Sequence, residues 1–132
     1  MAAAPSFTST PRIGVGAVSA ANTARDGSGT IVTIITGVSE GTKIFEVVTK
    51  ATGDPADSVI TLFLHDGSNY FLFDEIDLGD PAAASTTVTG SRVSRTYDNL
   101  VLPSASWSLR AAITVAHTAG VTNVFALGGD LT

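Results

Sequence analysis

The chain contains no cysteine in 132 residues. That excludes a disulfide framework, a zinc–thiolate centre and a cysteine nucleophile together. It leaves the compartment open, since a cysteine-free chain is stable in either redox setting. Charge is also scarce: 14% of residues are Asp, Glu, Lys or Arg, against about a quarter in an average domain. The balance is acidic, with a formal net charge of −5, and the seven basic residues are scattered. Arg92 and Arg95 come nearest to a cluster. A nucleic-acid binder needs a basic stripe to neutralise phosphates, so nucleic acid is not an expected partner. No run reaches the roughly 18 consecutive apolar residues of a membrane span, so no membrane association is expected. The opening residues Met1-Ala2-Ala3-Ala4-Pro5 carry neither a basic nor a long apolar stretch, and no export signal is legible there.

What is present is apolar filling and small polar residues. Apolar residues make up 44% of the chain. A domain of this length buries roughly two-thirds of the surface its unfolded chain exposes, so one core suffices without staples. Thr, Ser, Ala and Gly supply much of the rest. Thr and Ser lose less rotamer freedom at an interface than Lys or Glu, so such a surface suits extensive, permanent contact. A quiet extracellular module has the same composition.

Residues 1–25 differ from the rest of the chain. They are small and polar, are interrupted by Pro5 and Pro11, and have no clear period. They read as an extended N-terminal arm, with Phe7, Ile13, Val15 and Val18 as its apolar contacts; simple terminal disorder is the competing reading. Residues 26–132 read as a single domain. Asp26-Gly27-Ser28-Gly29 is a turn signal, and the β-branched run of residues 30–36 favours a pleated strand. Residues 43–49 form the next strand. Residues 58–64 and 70–73 face each other across His65-Asp66-Gly67-Ser68-Asn69, where Asp-Gly between apolar runs marks a hairpin. Both hairpin faces are apolar, which places it centrally in a sandwich or beneath a neighbouring chain. Residues 74–84 read as an acidic loop, and residues 85–89 and 92–97 as polar, edge-like strands. In residues 107–115, Trp107, Leu109, Ala111, Ile113 and Val115 share one face. Residues 121–127 close the domain.

Seven or eight short strands separated by turns, with no long helix, predict an all-β fold: an antiparallel β-sandwich or jelly-roll-like domain. The expected large core residues are Ile34, Phe45, Val47, Ile60, Leu62, Leu64, Phe71, Phe73, Trp107, Leu109, Ile113 and Phe125.

No pattern carries chemistry. The acidic run Asp74-Glu75-Ile76-Asp77-Leu78-Gly79-Asp80 lacks the ligand spacing of a calcium loop. His65 and His117 lie far apart and have no third ligand, so no metal site is expected. No Gly-x-Ser-x-Gly elbow accompanies them, and Gly14-Val15-Gly16 has none of the residues of a phosphate loop. No cofactor is expected and the chain does not read as an enzyme. Trp107 reads as a core residue, with an interface anchor as the alternative. Tyr70 and Tyr97 are further interface candidates.

Several short segments resemble a group of small virion proteins of tailed bacteriophages: Arg12-Ile13-Gly14-Val15-Gly16, Ala24-Arg25-Asp26-Gly27-Ser28-Gly29, the hairpin from Leu62 to Tyr70, Leu102-Pro103, and Trp107-Ser108-Leu109-Arg110-Ala111. The resemblance spans most of residues 12–130 and is poorest between Asp80 and Tyr97. It implies a structural virion protein, a capsid decoration (cement) protein that binds the major capsid protein and neighbouring copies of itself on the capsid exterior. Homo-oligomerisation on the particle is left open. Such a protein is made in the host cytoplasm and released by lysis, so it needs no export signal. A tail- or fibre-associated module that binds host-surface carbohydrate or protein through Tyr70, Tyr97 and Asn69 is the alternative.

Overall fold

The computed structural model describes residues 9–131. Among these, eight strands and no helix are present: β1 (Thr10–Val18), β2 (Val32–Thr36), β3 (Thr42–Ala51), β4 (Ser58–His65), β5 (Tyr70–Gly79), β6 (Arg92–Leu102), β7 (Ser108–Ile113) and β8 (Thr122–Asp130). They form two four-stranded sheets, ordered β1-β8-β3-β6 and β2-β7-β4-β5. Every strand pairing is antiparallel. The fold is therefore an antiparallel β-sandwich.

Alternate residues point inward and form the core. The first sheet contributes Val18, Ile44, Val47, Val124 and Ala126; the second contributes Ile34, Ile60, Leu62, Ile76, Leu109, Ala111 and Ile113. Each large aliphatic side chain buried this way contributes about 1.5–3 kcal/mol. The inward positions of β1 include Gly14 and Gly16. A Cβ on Gly14 would strike the Ile34 carbonyl, and one on Gly16 would come within 2.7 Å of Val32. These glycines let β1 lie directly against β2 and close that side of the sandwich. Arg12 fixes the closure. Its Nη1 donates to the Thr36 carbonyl (2.8 Å), Thr42 Oγ1 (3.3 Å) and Asp130 Oδ1 (3.0 Å), joining four strands from both sheets.

The hairpin of residues 58–73 forms as expected, with Gly67 at φ +104 in its turn. The Asp66 carboxylate accepts from the Ser68 and Asn69 amides, which holds it below the usual carboxylate range. β7 buries Leu109, Ala111 and Ile113 on one face, and Trp107 packs against the same core. Val115 lies beyond the strand and is exposed.

Elsewhere the structure corrects the reading. From residue 10 the expected arm is β1, paired along its whole length with β8. The backbone groups of residues 10–18 find partners there, and Val18 enters the core. Residues 1–8, including Phe7, lie outside the described residues. The acidic loop is in part strand, because β5 runs on to Gly79 opposite Ser58. Residues 85–89 form a turn, closed by the Ser85 amide on the Val88 carbonyl, and β6 is a single strand from Arg92 to Leu102 with a bulge against β3 at residues 97–99.

Among the expected core residues, Phe45, Phe71 and Phe73 are exposed, and Phe125 is only half-buried. Two of these displacements come from bulges. The pairing of β3 skips Phe45 and that of β5 skips Phe73, so each extra residue shifts the alternation of faces. Phe63 takes a buried place instead.

Candidate interaction surfaces

The outer face of the first sheet is built by the outward residues of four paired strands. Ile13 lies opposite Leu127, and Leu127 opposite Glu46. Val15 lies opposite Phe125, and Phe125 opposite Val48. Ile13 is 71% exposed and Val15 53%, while Phe125 and Leu127 are half-buried. An apolar row thus crosses from the β1 edge to the middle of the sheet. Around it stand Lys43, Lys50 and Arg92, with Glu46 as the opposing charge within the ladder and Asp98 in the edge bulge of β6. Lys43 Nζ rests 5.5 Å from the Phe45 ring centroid. In a chain of net charge −5, these three cations and two carboxylates leave this face close to neutral.

The second surface lies at the β5 edge. Phe71 stacks on Trp107 (6.4 Å between centroids, 22° between planes), and Phe73 meets Tyr97 at 5.4 Å. The exposures of Phe71, Leu72 and Phe73 are 48%, 38% and 38%. Next to them the Tyr97 hydroxyl donates to Asp74 Oδ2 (2.8 Å), and Arg95 Nη1 bridges to the same carboxylate. Burial, and then the bond to Asp74, push the Tyr97 phenol above its ordinary range.

The outer side of the second sheet is covered. The residues between β1 and β2 cross it: the Asn22 amide donates to the Ile113 carbonyl, Arg25 pairs with Glu75 at 2.7 Å, and Gly27 lies against the Tyr70 ring. Tyr70 accepts from Arg110 Nη1 (2.8 Å) and meets Phe63 edge-on at 6.1 Å. Phe63 is fully buried yet outside the inter-sheet core cluster. It belongs to a small second core under this cover.

The interface candidates therefore separate. Ile13 and Val15 share the outer face of the first sheet. Val18 is buried and unavailable. Tyr70 lies on the covered side of β5, whereas Tyr97 approaches Phe73 and Asp74 from β6, so the two tyrosines form no common patch. The missed surface residues are Phe125 and Leu127, whose alternation with Val124 and Ala126 along β8 is legible in the sequence, and Phe71 and Phe73.

No group of three metal-ligating side chains occurs among the described residues. His65 Nδ1 accepts from the Gly67 amide, and its ring lies 4.3 Å from that of Tyr70. His117 sits at the other end of the sandwich, with Nε2 2.7 Å from Thr122 Oγ1 and Nδ1 buried without a hydrogen-bond partner among the described residues. Burial pushes its pKa below 6.5, against the opposing pull of Asp54. The unfolded state therefore binds the proton first as pH falls. Stability is fully present above the unfolded pKa and declines as pH drops below about 6.5. Thermal melts across that range are expected to show the decline, and His117→Gln is expected to flatten it.

No family model matches the chain, and no curated protein matches it. Solved structures do. A chain in the acidic stable capsid structure of the Helicobacter pylori bacteriophage KHP30 superposes with a TM-score of 0.55 at 11% identity, covering 92% of this chain and 87% of that one. A chain in the cyanophage Pam1 capsid asymmetric unit gives a TM-score of 0.49 at 17% identity, covering 100% and 94%. The first of these shows a shared fold: a two-sheet antiparallel sandwich of nearly the same extent.

Proposed function

We propose that this protein is a structural component of a tailed-phage particle, and specifically a capsid decoration protein on the exterior of the major capsid protein lattice. The observation that carries this reading is the apolar row Ile13–Leu127 and Val15–Phe125, left uncovered by the described residues, on the outer face of the β1-β8-β3-β6 sheet. Scattered apolar residues are ordinary on a surface, but a contiguous row within a polar rim marks an interface. Its rim, in which Lys43, Lys50 and Arg92 stand with Glu46 and Asp98, suits a capsid surface that is apolar at its centre and of mixed charge around it. The fold shared with a chain of the KHP30 capsid and the resemblance of its short segments to phage virion proteins support the same conclusion. Residues 1–8, which precede β1 at the edge of this face, are assigned the role of the arm, with Phe7 as its apolar contact.

The test is co-sedimentation with capsids lacking the protein. Ile13→Asp and Val15→Asp each place a carboxylate where apolar contact is required. Each is expected to weaken binding at least about tenfold, since about 1.4 kcal/mol of lost contact gives that factor, while the melting temperature of these exposed variants stays near that of the parent. Undiminished binding by the double variant would overturn the assignment of this face. Deleting residues 2–8 tests the arm separately, whereas a deletion past residue 9 removes β1 itself.

A further inference from the structure

Among the described residues, β5 is an outermost strand of its sheet, with β4 on one side and no strand on the other. Proteins usually blunt such edges with charge, proline or cover, because unpaired backbone groups recruit another strand. Here β6 carries Arg92, Arg95 and Asp98, and β1 lies against β2. On β5 the blunting covers only part of the strand. Arg95 bridges to the Asp74 carboxylate and approaches the Glu75 carbonyl, and Tyr97 holds Asp74 from the same side. The stretch Tyr70-Phe71-Leu72-Phe73 has neither charge nor proline, and three of its four residues are exposed apolar side chains.

We infer that this stretch is a homotypic edge: a second copy of this chain pairs antiparallel with it about a two-fold axis through Phe71. The charge pattern selects both the partner and the register. About Phe71, Tyr70 faces Leu72, Asn69 faces Phe73, and Asp74 and Glu75 face Ser68 and Gly67, so no carboxylate opposes a carboxylate. An axis at Asp74 would set Asp74 against itself. An axis at Leu72 would set Tyr70 against Asp74 across the bulge at Phe73, where the two side chains leave the strand on different faces. Asp66 on one side, and the Arg95- and Arg25-paired carboxylates of Asp74 and Glu75 on the other, bracket the apolar stretch, and this chain supplies a neutral segment of matching length. Pairing extends the second sheet across both copies and brings their Phe71–Trp107 stacks together. The isologous contact closes on itself, which limits the assembly to a dimer. The outer face of the first sheet stays free in that dimer, so the inference stands apart from the capsid reading.

Light scattering and sedimentation of the full chain test it. The parent is expected to be dimeric at about 100 μM, where micromolar pairing is saturated. Amide exchange at residues 70 and 72 is expected to slow as concentration rises. Leu72→Lys alters an exposed side chain and is expected to raise the dissociation constant at least about tenfold with an unchanged melt; Phe71→Ser is the second variant should Leu72→Lys fail to fold. A monomeric parent at that concentration overturns the proposal, as does a dimer that survives both variants. A dimer lost instead through Ile13→Asp and Val15→Asp overturns it in favour of the first sheet.

Discussion

Gly128→Val is expected to abolish cooperative folding, or to lower the unfolding free energy by about 4 kcal/mol or more. Gly128 is on β8, opposite Ile44 of β3. A Cβ there would strike the Lys43 carbonyl oxygen and approach Ile44 Cα at 2.9 Å. These are main-chain atoms of a strand held by ladders on both sides, so neither can move without breaking hydrogen bonds. Natural domains hold only about 5–15 kcal/mol in total, and a loss above about 4 is confined to a few mechanisms, of which overpacking is one. Urea unfolding measures it directly. Gly79→Ala is the contrasting case. Nothing lies within 4 Å of its Cβ position, but the residue has φ +65. Only the backbone penalty applies there, about 1 kcal/mol.

Phe63→Ala is expected to destabilise the protein by about 3–5 kcal/mol, the usual range for a fully buried phenylalanine. The side chain is completely enclosed, and its neighbour Tyr70 is held by Arg110 and Gly27, so the cavity left behind cannot collapse freely. Phe71→Ala, eight positions along the same hairpin, removes a ring that is half in solvent and is expected to cost about 1 kcal/mol. Paired denaturation curves of the two variants check the difference. A similar loss for both would mean that the cover formed by residues 19–31 does not seal the outer side of the second sheet.

That pair of phenylalanines shows how far the residues alone could be read. The hairpin was legible because Asp66-Gly67 sits between two apolar runs. The inward face of β7 was legible because Leu109, Ala111 and Ile113 alternate with Ser108, Arg110 and the small Ala112. Ile13 and Val15 were read as apolar residues of an arm; the structure instead places them on a sheet strand, pointing outward. Val18 lies on the same strand but faces inward, and nothing in an apparently irregular segment distinguished it. The core places assigned to Phe45, Phe71 and Phe73 could not be judged from hydrophobicity, since a phenylalanine in a strand satisfies either face.

The amino-acid sequence alone determined the class of the protein: β-branched runs between glycine-rich turns require paired strands, and the absence of cysteine excludes thiolate chemistry. The tertiary structure decided which apolar residues become surface. Period-2 alternation assigns faces only within an uninterrupted strand. A bulge shifts that phase, and its position depends on the partner strand, as at Phe45 between β8 and β6 and at Phe73 against β4. The recruitment of residues 10–18 by β8 was decided the same way, because Gly14 and Gly16 show their purpose only once β2 lies across them.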